Sequence, residues 1–162
     1  MRRKEVPMTS LLPRRVLLGA ATALLGTTGG AIAQSRTGGT INQMHAGQAL
    51  KGYDAVSYFS GRPVVGREDI SFEHGGGAYR FATQQNREAF KANPARYAPQ
   101  YGGFCAWGIA QGKLFDIDPA TGWEVSDGKL LLFFNPTILG LWKAERAALW
   151  ARAEQNWPRL NV

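Results

Sequence analysis

Cys105 is the only thiol in this 162-residue chain, so no internal disulfide can staple the fold. Whatever structure forms must rest on side-chain packing and hydrogen bonds. The cysteine lies within Pro99–Gly108, between Phe104 and Trp107, and Tyr101 and the Gly102-Gly103 pair precede it. Paired glycines permit positive φ and a close approach of backbone to a neighbour or ligand. A thiol held between aromatics after such a turn suits either an inert core residue or a tuned thiolate, and both readings stay open at this point.

Residues 1–33 read as an export signal. Arg2, Arg3, Lys4, Arg14 and Arg15 make the positive region, Val16–Gly26 is uncharged and apolar, and Ala31-Ile32-Ala33 has the small-x-small cleavage pattern. The apolar run is short of the roughly 20 residues that a spanning helix needs. Arg14-Arg15 directly before it points to the twin-arginine export machinery, with Sec as the alternative. No cysteine closely follows the run, which excludes a lipoprotein anchor. The expectation is a periplasmic or secreted protein without a stable membrane anchor.

The whole chain carries 19 Lys+Arg against 12 Asp+Glu, but residues 34–162 carry 14 against 11, a formal +3. That balance calls for no nucleic acid and no anionic membrane. Residues 34–48 are polar and glycine-rich and read as a flexible leader, leaving 49–160 as a single domain.

Asp54 is a plausible cap for a short helix over Ala55–Phe59. Ile70–His74 and Ala78–Ala82 alternate apolar and polar residues around Gly75–Gly77, the pattern of a β-hairpin. Thr83 caps a helix over Gln84–Ala92 with Phe90 as its apolar anchor, and Pro94 opens another short turn through Tyr97. A helical turn is expected over Cys105–Ile109. Lys113–Ile117 and Trp123–Val125 read as strands, and Asp127-Gly128 is a hairpin signal before Lys129–Phe134, the expected central strand. Asp116 and Asp118 near Pro119 fit turn capping better than a hard-cation site. Thr137–Gln155 reads as one amphipathic helix with Leu141, Trp142, Glu145, Leu149 and Trp150 near helical spacing. Trp157 closes a short tail that docks back. The fold class is therefore α+β: a small twisted antiparallel sheet, short helices and a C-terminal amphipathic helix.

Gly52–Phe59, Tyr79–Phe81, Asn86–Phe90, Asn93-Pro94, Tyr97–Gly108, Asp127–Leu130 and Asn156–Pro158 together resemble the exported bacterial YHS-domain proteins. The resemblance spans nearly all of 49–158. It implies a YHS/TRASH-like α+β core and an association with metal sensing or carriage through cysteine ligands. The three cysteines of the broader family fall here at Ser57, Ala82 and Asn86, so that metal site does not carry over. Cys105 belongs to the exported subfamily's own Gly-Gly-aromatic-Cys-Ala motif. Some relatives in that subfamily are selenoproteins with selenocysteine at the matching position, which implies chemistry at Cys105.

Three functions follow as expectations. The first is handling of a soft metal such as copper by the Cys105 thiolate, exchanged with a metal donor or acceptor. Met44, His45 and His74 are the other soft or imidazole groups of 34–162. The second is a thiol or selenol-type oxidoreductase with Cys105 as nucleophile, its pKa lowered at a helix N-terminus and its turnover completed by an external thiol reductant. Tyr53, Asp54, Tyr58, Tyr101, Gly102, Gly103 and Trp107 are the groups expected to support the sulfur. The third is a non-catalytic partner-binding module that presents its aromatics. Phosphate-loop and Ser-His-Asp patterns are absent.

Overall fold

The computed structural model describes residues 41–44 and 46–160. Arg14, Arg15, Ala31, Ala33 and His45 lie outside the described residues. Those described belong to one compact unit. The fold is α+β, with helices packed on two separate two-stranded antiparallel sheets rather than on the single sheet expected.

The N-terminal half is built on β1 (Arg67–His74) and β2 (Gly77–Phe81), paired in register Phe72 to Tyr79 and Ser71 to Arg80. The register slips between Arg67 and Ser71, a bulge that bends the strand where it leaves the hairpin. Gly77, Tyr79 and Phe81 point inward and are buried, as period-2 alternation requires. Helix α1 (Gln84–Ala92) starts at Thr83, whose Oγ1 accepts from Asn86 N at 3.1 Å. Its one buried residue is Phe90, whose ring meets Tyr79 at 4.7 Å and Phe81 at 5.2 Å. Full burial of such a ring stabilises by roughly 1.5–3 kcal/mol. Helix α2 (Pro94–Tyr97) follows, with Pro94 in the first turn and the Asn93 side chain accepting from Arg96 N.

The C-terminal half holds α3 (Ala106–Ala110), β3 (Trp123–Ser126), β4 (Lys129–Leu132), α4 (Pro136–Ala144) and α5 (Arg146–Leu160). Asp127 (φ +51°) and Gly128 (φ +72°) both take left-handed backbone, the geometry of the two-residue hairpin turn their sequence announces. Asn135 caps α4 by accepting from Ile138 N at 2.9 Å. Leu130–Phe133 are completely buried, and Trp142 lies over Phe133 at 5.5 Å between ring centres.

Five expectations change here. The helix expected over Ala55–Phe59 is a tighter 3-10 turn, Ser57–Ser60. Lys113–Ile117 is not a strand; it runs between Gly112 and Pro119 and is held by isolated bonds, Cys105 N to Phe115 O and Asp118 N to Phe133 O. Lys129–Leu132 is one arm of a two-stranded hairpin rather than a central strand, and Phe134 is 55% exposed beyond its end. The closing helix breaks at Glu145 (φ −126°), which rotates the apolar stripe. Ile138, Leu139 and Trp142 pack inward from α4 and Leu149 and Ala153 from α5, whereas Leu141 and Glu145 are exposed. The tail around Trp157 is the end of α5 itself.

The leader also ends earlier than expected. Asn42 is buried, Ile41 packs on the domain, and Gln48 forms a parallel bridge with Ala78.

Candidate functional site

Cys105 is reached through a loop of three consecutive left-handed residues, Tyr101 (φ +53°), Gly102 (φ +59°) and Gly103 (φ +79°). The glycines adopt this backbone freely, but Tyr101 does so at a cost. The Tyr101 hydroxyl donates to Glu154 Oε1 at 2.8 Å, and its ring meets Trp157 edge-on at 5.8 Å. Burial and the Glu154 carboxylate together push its phenol pKa well above the usual value. Both partners come from α5, so the closing helix fixes this turn.

The chain then places Cys105 between three elements. Its N–H donates to Phe115 O at 3.1 Å, it bridges Leu132 in parallel, and its carbonyl accepts from Ile109 N at 3.0 Å to open α3. Asn156 on α5 donates to Ile109 O and Ala110 O, closing the far end of the same short helix. Phe115 lies so tightly over Gly108 that a Cβ there would come within 2.6 Å of the ring.

The thiol is completely buried. Burial pushes its pKa up, and the backbone amides of Gly108, Phe134 and Trp107 oppose the shift without reversing it. This corrects the expectation of a thiolate stabilised in the first turn of a helix. Cys105 stands at the N-cap of a five-residue helix and makes no side-chain capping bond. The loss of water around a charged sulfur outweighs the amide dipoles.

The expected supporting residues divide. Gly102, Gly103 and Tyr101 form the approach loop, and Trp107 is half-buried on α3 against the core. Tyr58 is buried, donates to Pro119 O at 2.8 Å and packs edge-on against Trp123. Burial first, then Tyr53, Asp118 and Asp54, push its phenol pKa up. Tyr53 is half-buried and bridges Val65. The hydrogen bonds of Tyr58, Asp54 and Tyr101 all end on groups other than the sulfur.

Asp54 forms its own centre, fully buried. Oδ1 accepts from Val56 N at 2.9 Å and Ser57 N at 3.4 Å; Oδ2 accepts from Ala82 N at 2.9 Å and Asn86 Nδ2 at 2.6 Å. Ser57 Oγ also donates to Asp54 O at 2.6 Å. Ser57, Ala82 and Asn86, the three positions where the resemblance places cysteines, thus lie around one carboxylate.

Among the described residues, the donors for a soft metal do not assemble into a group of three. No group of three or more His, Cys, Asp or Glu capable of holding an ion occurs among the described residues. His74 is half-buried, its ring edge-on to Phe90 at 5.6 Å, and Met44 is exposed. Asp118 caps the turn after it, accepting from Ala120 N and Thr121 N, as its sequence context predicts. No described helix is long and apolar enough to cross a membrane.

Sequence reasoning missed Asn42, Glu154 and Asn156 as supports of this region. An asparagine inside an otherwise regular helix is a usable signal, because Asn competes poorly there unless its side chain has a partner. Comparison with protein-family models, curated proteins and solved structures finds no match to the chain.

Proposed function

We propose that this is an exported thiol-dependent redox protein of YHS type, in which Cys105 is a guarded nucleophile. The observation that carries the reading is the placement of Cys105 directly after the left-handed Tyr101–Gly103 loop and at the N-cap of α3. A buried core cysteine that only fills space needs no such surroundings. At rest the thiol is protonated, and reaction runs through a local opening that admits water and oxidant.

The chemistry balances with one cysteine and an external reductant. The Cys105 thiolate attacks the O–O bond of a peroxide; sulfur gains one oxygen as sulfenic acid and the leaving alkoxide takes a proton. A first external thiol condenses with the sulfenic acid, releasing water and forming a mixed disulfide. A second external thiol attacks that disulfide, restores Cys105 and leaves as the oxidised reductant.

The test is trapping of Cys105 sulfenic acid by a dimedone-type probe in native buffer after peroxide treatment. Labelling faster than global unfolding supports the proposal; labelling only in denaturant overturns it and makes the cysteine structural. A Cu(I) titration of the same protein beside Cys105→Ser separates metal handling, since tight binding lost in the variant would replace redox with metal carriage. A second reading, a partner-binding module, is favoured by Phe115 and Phe134. The Phe115 carbonyl accepts the Cys105 N–H, and the two residues are 38% and 55% exposed.

A further inference from the structure

The segment that reads as leader is bonded to the approach loop of Cys105. Asn42 N–H donates to Gly102 O at 2.8 Å, and Asn42 Nδ2 reaches Gly103 O at 3.2 Å and Asp116 Oδ1 at 3.4 Å. Asp116 in turn pairs with Lys51 at 2.7 Å. On either side of Asn42 the segment grips the β1–β2 hairpin tip. Ile41 sits over Gly77, where a Cβ would come within 2.8 Å of its Cγ2, and Gln43 Nε2 donates to Gly76 O. Asn42 Oδ1 accepts from Met44 N, which shapes the segment into a turn.

The loop that receives these bonds is the part of the site with a stored alternative. Three consecutive left-handed residues, one of them a tyrosine, persist only where neighbours over-determine them. Those neighbours are Glu154 on the Tyr101 hydroxyl and Asn42 on the two glycine carbonyls. Gly103 is two residues from Cys105, so relaxation of the loop acts directly on the backbone that holds the sulfur out of water. Glu154 belongs to a fifteen-residue helix. Asn42 belongs to a segment outside any helix or strand, so its hold can be released without unfolding an element.

We infer that residues 41–44 are a strap that locks the Tyr101–Gly103 loop, and that its release sets the rate at which the Cys105 sulfur becomes accessible. The inference deepens the thiol-redox reading and rests on it for its purpose. The lock itself is measurable without that chemistry.

The experiment compares the protein with Asn42→Ala and with Thr83→Ala, which removes the α1 cap away from the loop. Two quantities are read under native conditions: hydrogen exchange of the Phe104 and Cys105 amides, and the rate of thiol labelling by a small disulfide reagent. Asn42→Ala leaves the buried Gly103 carbonyl without its side-chain donor, so about a tenfold rise in both rates is expected. Thr83→Ala should leave both within about twofold of the parent at matched temperature. Equal acceleration by both variants would mean general destabilisation and overturn the strap, as would no acceleration by Asn42→Ala. Faster exchange in Asn42→Ala with a thiol that labels but never forms sulfenic acid would keep the strap and remove the redox reading.

Discussion

Replacing Asp54 tests whether the N-terminal half is organised by one carboxylate. Its two oxygens accept from four N–H groups at 2.6 to 3.4 Å, and the residue has no exposed surface. Asp54→Asn keeps the shape but turns one oxygen into a donor. Placed toward Val56 and Ser57, the new amide faces two backbone N–H groups. Placed on the other side, it can be met by a flipped Asn86 amide, but Ala82 N–H still faces a donor. At least one buried N–H therefore loses its acceptor, which costs about 1–3 kcal/mol, and the remaining bonds lose their ionic character. The expected loss is about 2–3 kcal/mol for Asn and about 4–5 kcal/mol for Ala, where all four donors are stranded. Domains of this size are stable by about 5–15 kcal/mol, so Asp54→Ala approaches unfolding. Urea denaturation followed by far-ultraviolet circular dichroism reads the difference directly. Stability of Asp54→Asn within about 0.5 kcal/mol of the parent would refute the reasoning, because no acceptor would then have been needed there.

Two further outcomes follow from single positions. Burial raises the Cys105 thiol pKa, so the native state keeps a proton that the unfolded chain gives up. Stability from this group is fully present below the unfolded value of about 8.5 and is lost as pH rises from there through the folded value, at up to about 1.4 kcal/mol per pH unit. Denaturation at pH 7.5, 8.5 and 9.5 should therefore show a decline that Cys105→Ser lacks; parallel decline in both proteins would contradict the burial. Gly66→Ala places a Cβ 2.4 Å from the Arg80 carbonyl carbon, a backbone contact that cannot yield easily. A loss of about 1–3 kcal/mol is expected in the same denaturation assay, and a neutral result would mean that the chain can move away from β2.

What was legible in the sequence was local. Thr83 caps α1, Asp127-Gly128 turns its hairpin, and Phe90 anchors α1, because the cap and the turn depend only on neighbours within a few residues. Lys113–Ile117 is not a strand because it found no partner in register, only isolated bonds to Gly108 and Cys105. The break at Glu145 carries neither glycine nor proline, so no helix-breaking residue marks it in the sequence. At Cys105 the motif marked the position, but its backbone partners Phe115 and Leu132 arrive from elsewhere in the chain. Asn42 looked like part of a polar tail because its partners lie 60 and 61 residues away.

All five tryptophans, Trp107, Trp123, Trp142, Trp150 and Trp157, lie in the part of the chain that follows Cys105. The β1–β2 hairpin, α1 and the Asp54 centre contain none, and the edge-on pair of Tyr58 and Trp123 joins the Ser57–Ser60 turn to that set. Intrinsic fluorescence therefore sees this protein from one side. A change that loosened the N-terminal half alone would pass almost silently through an emission spectrum, while the same measurement would respond sharply to any shift of α5 against Tyr101. An introduced indole at Phe72, which is only partly buried, would give the unseen half its own signal.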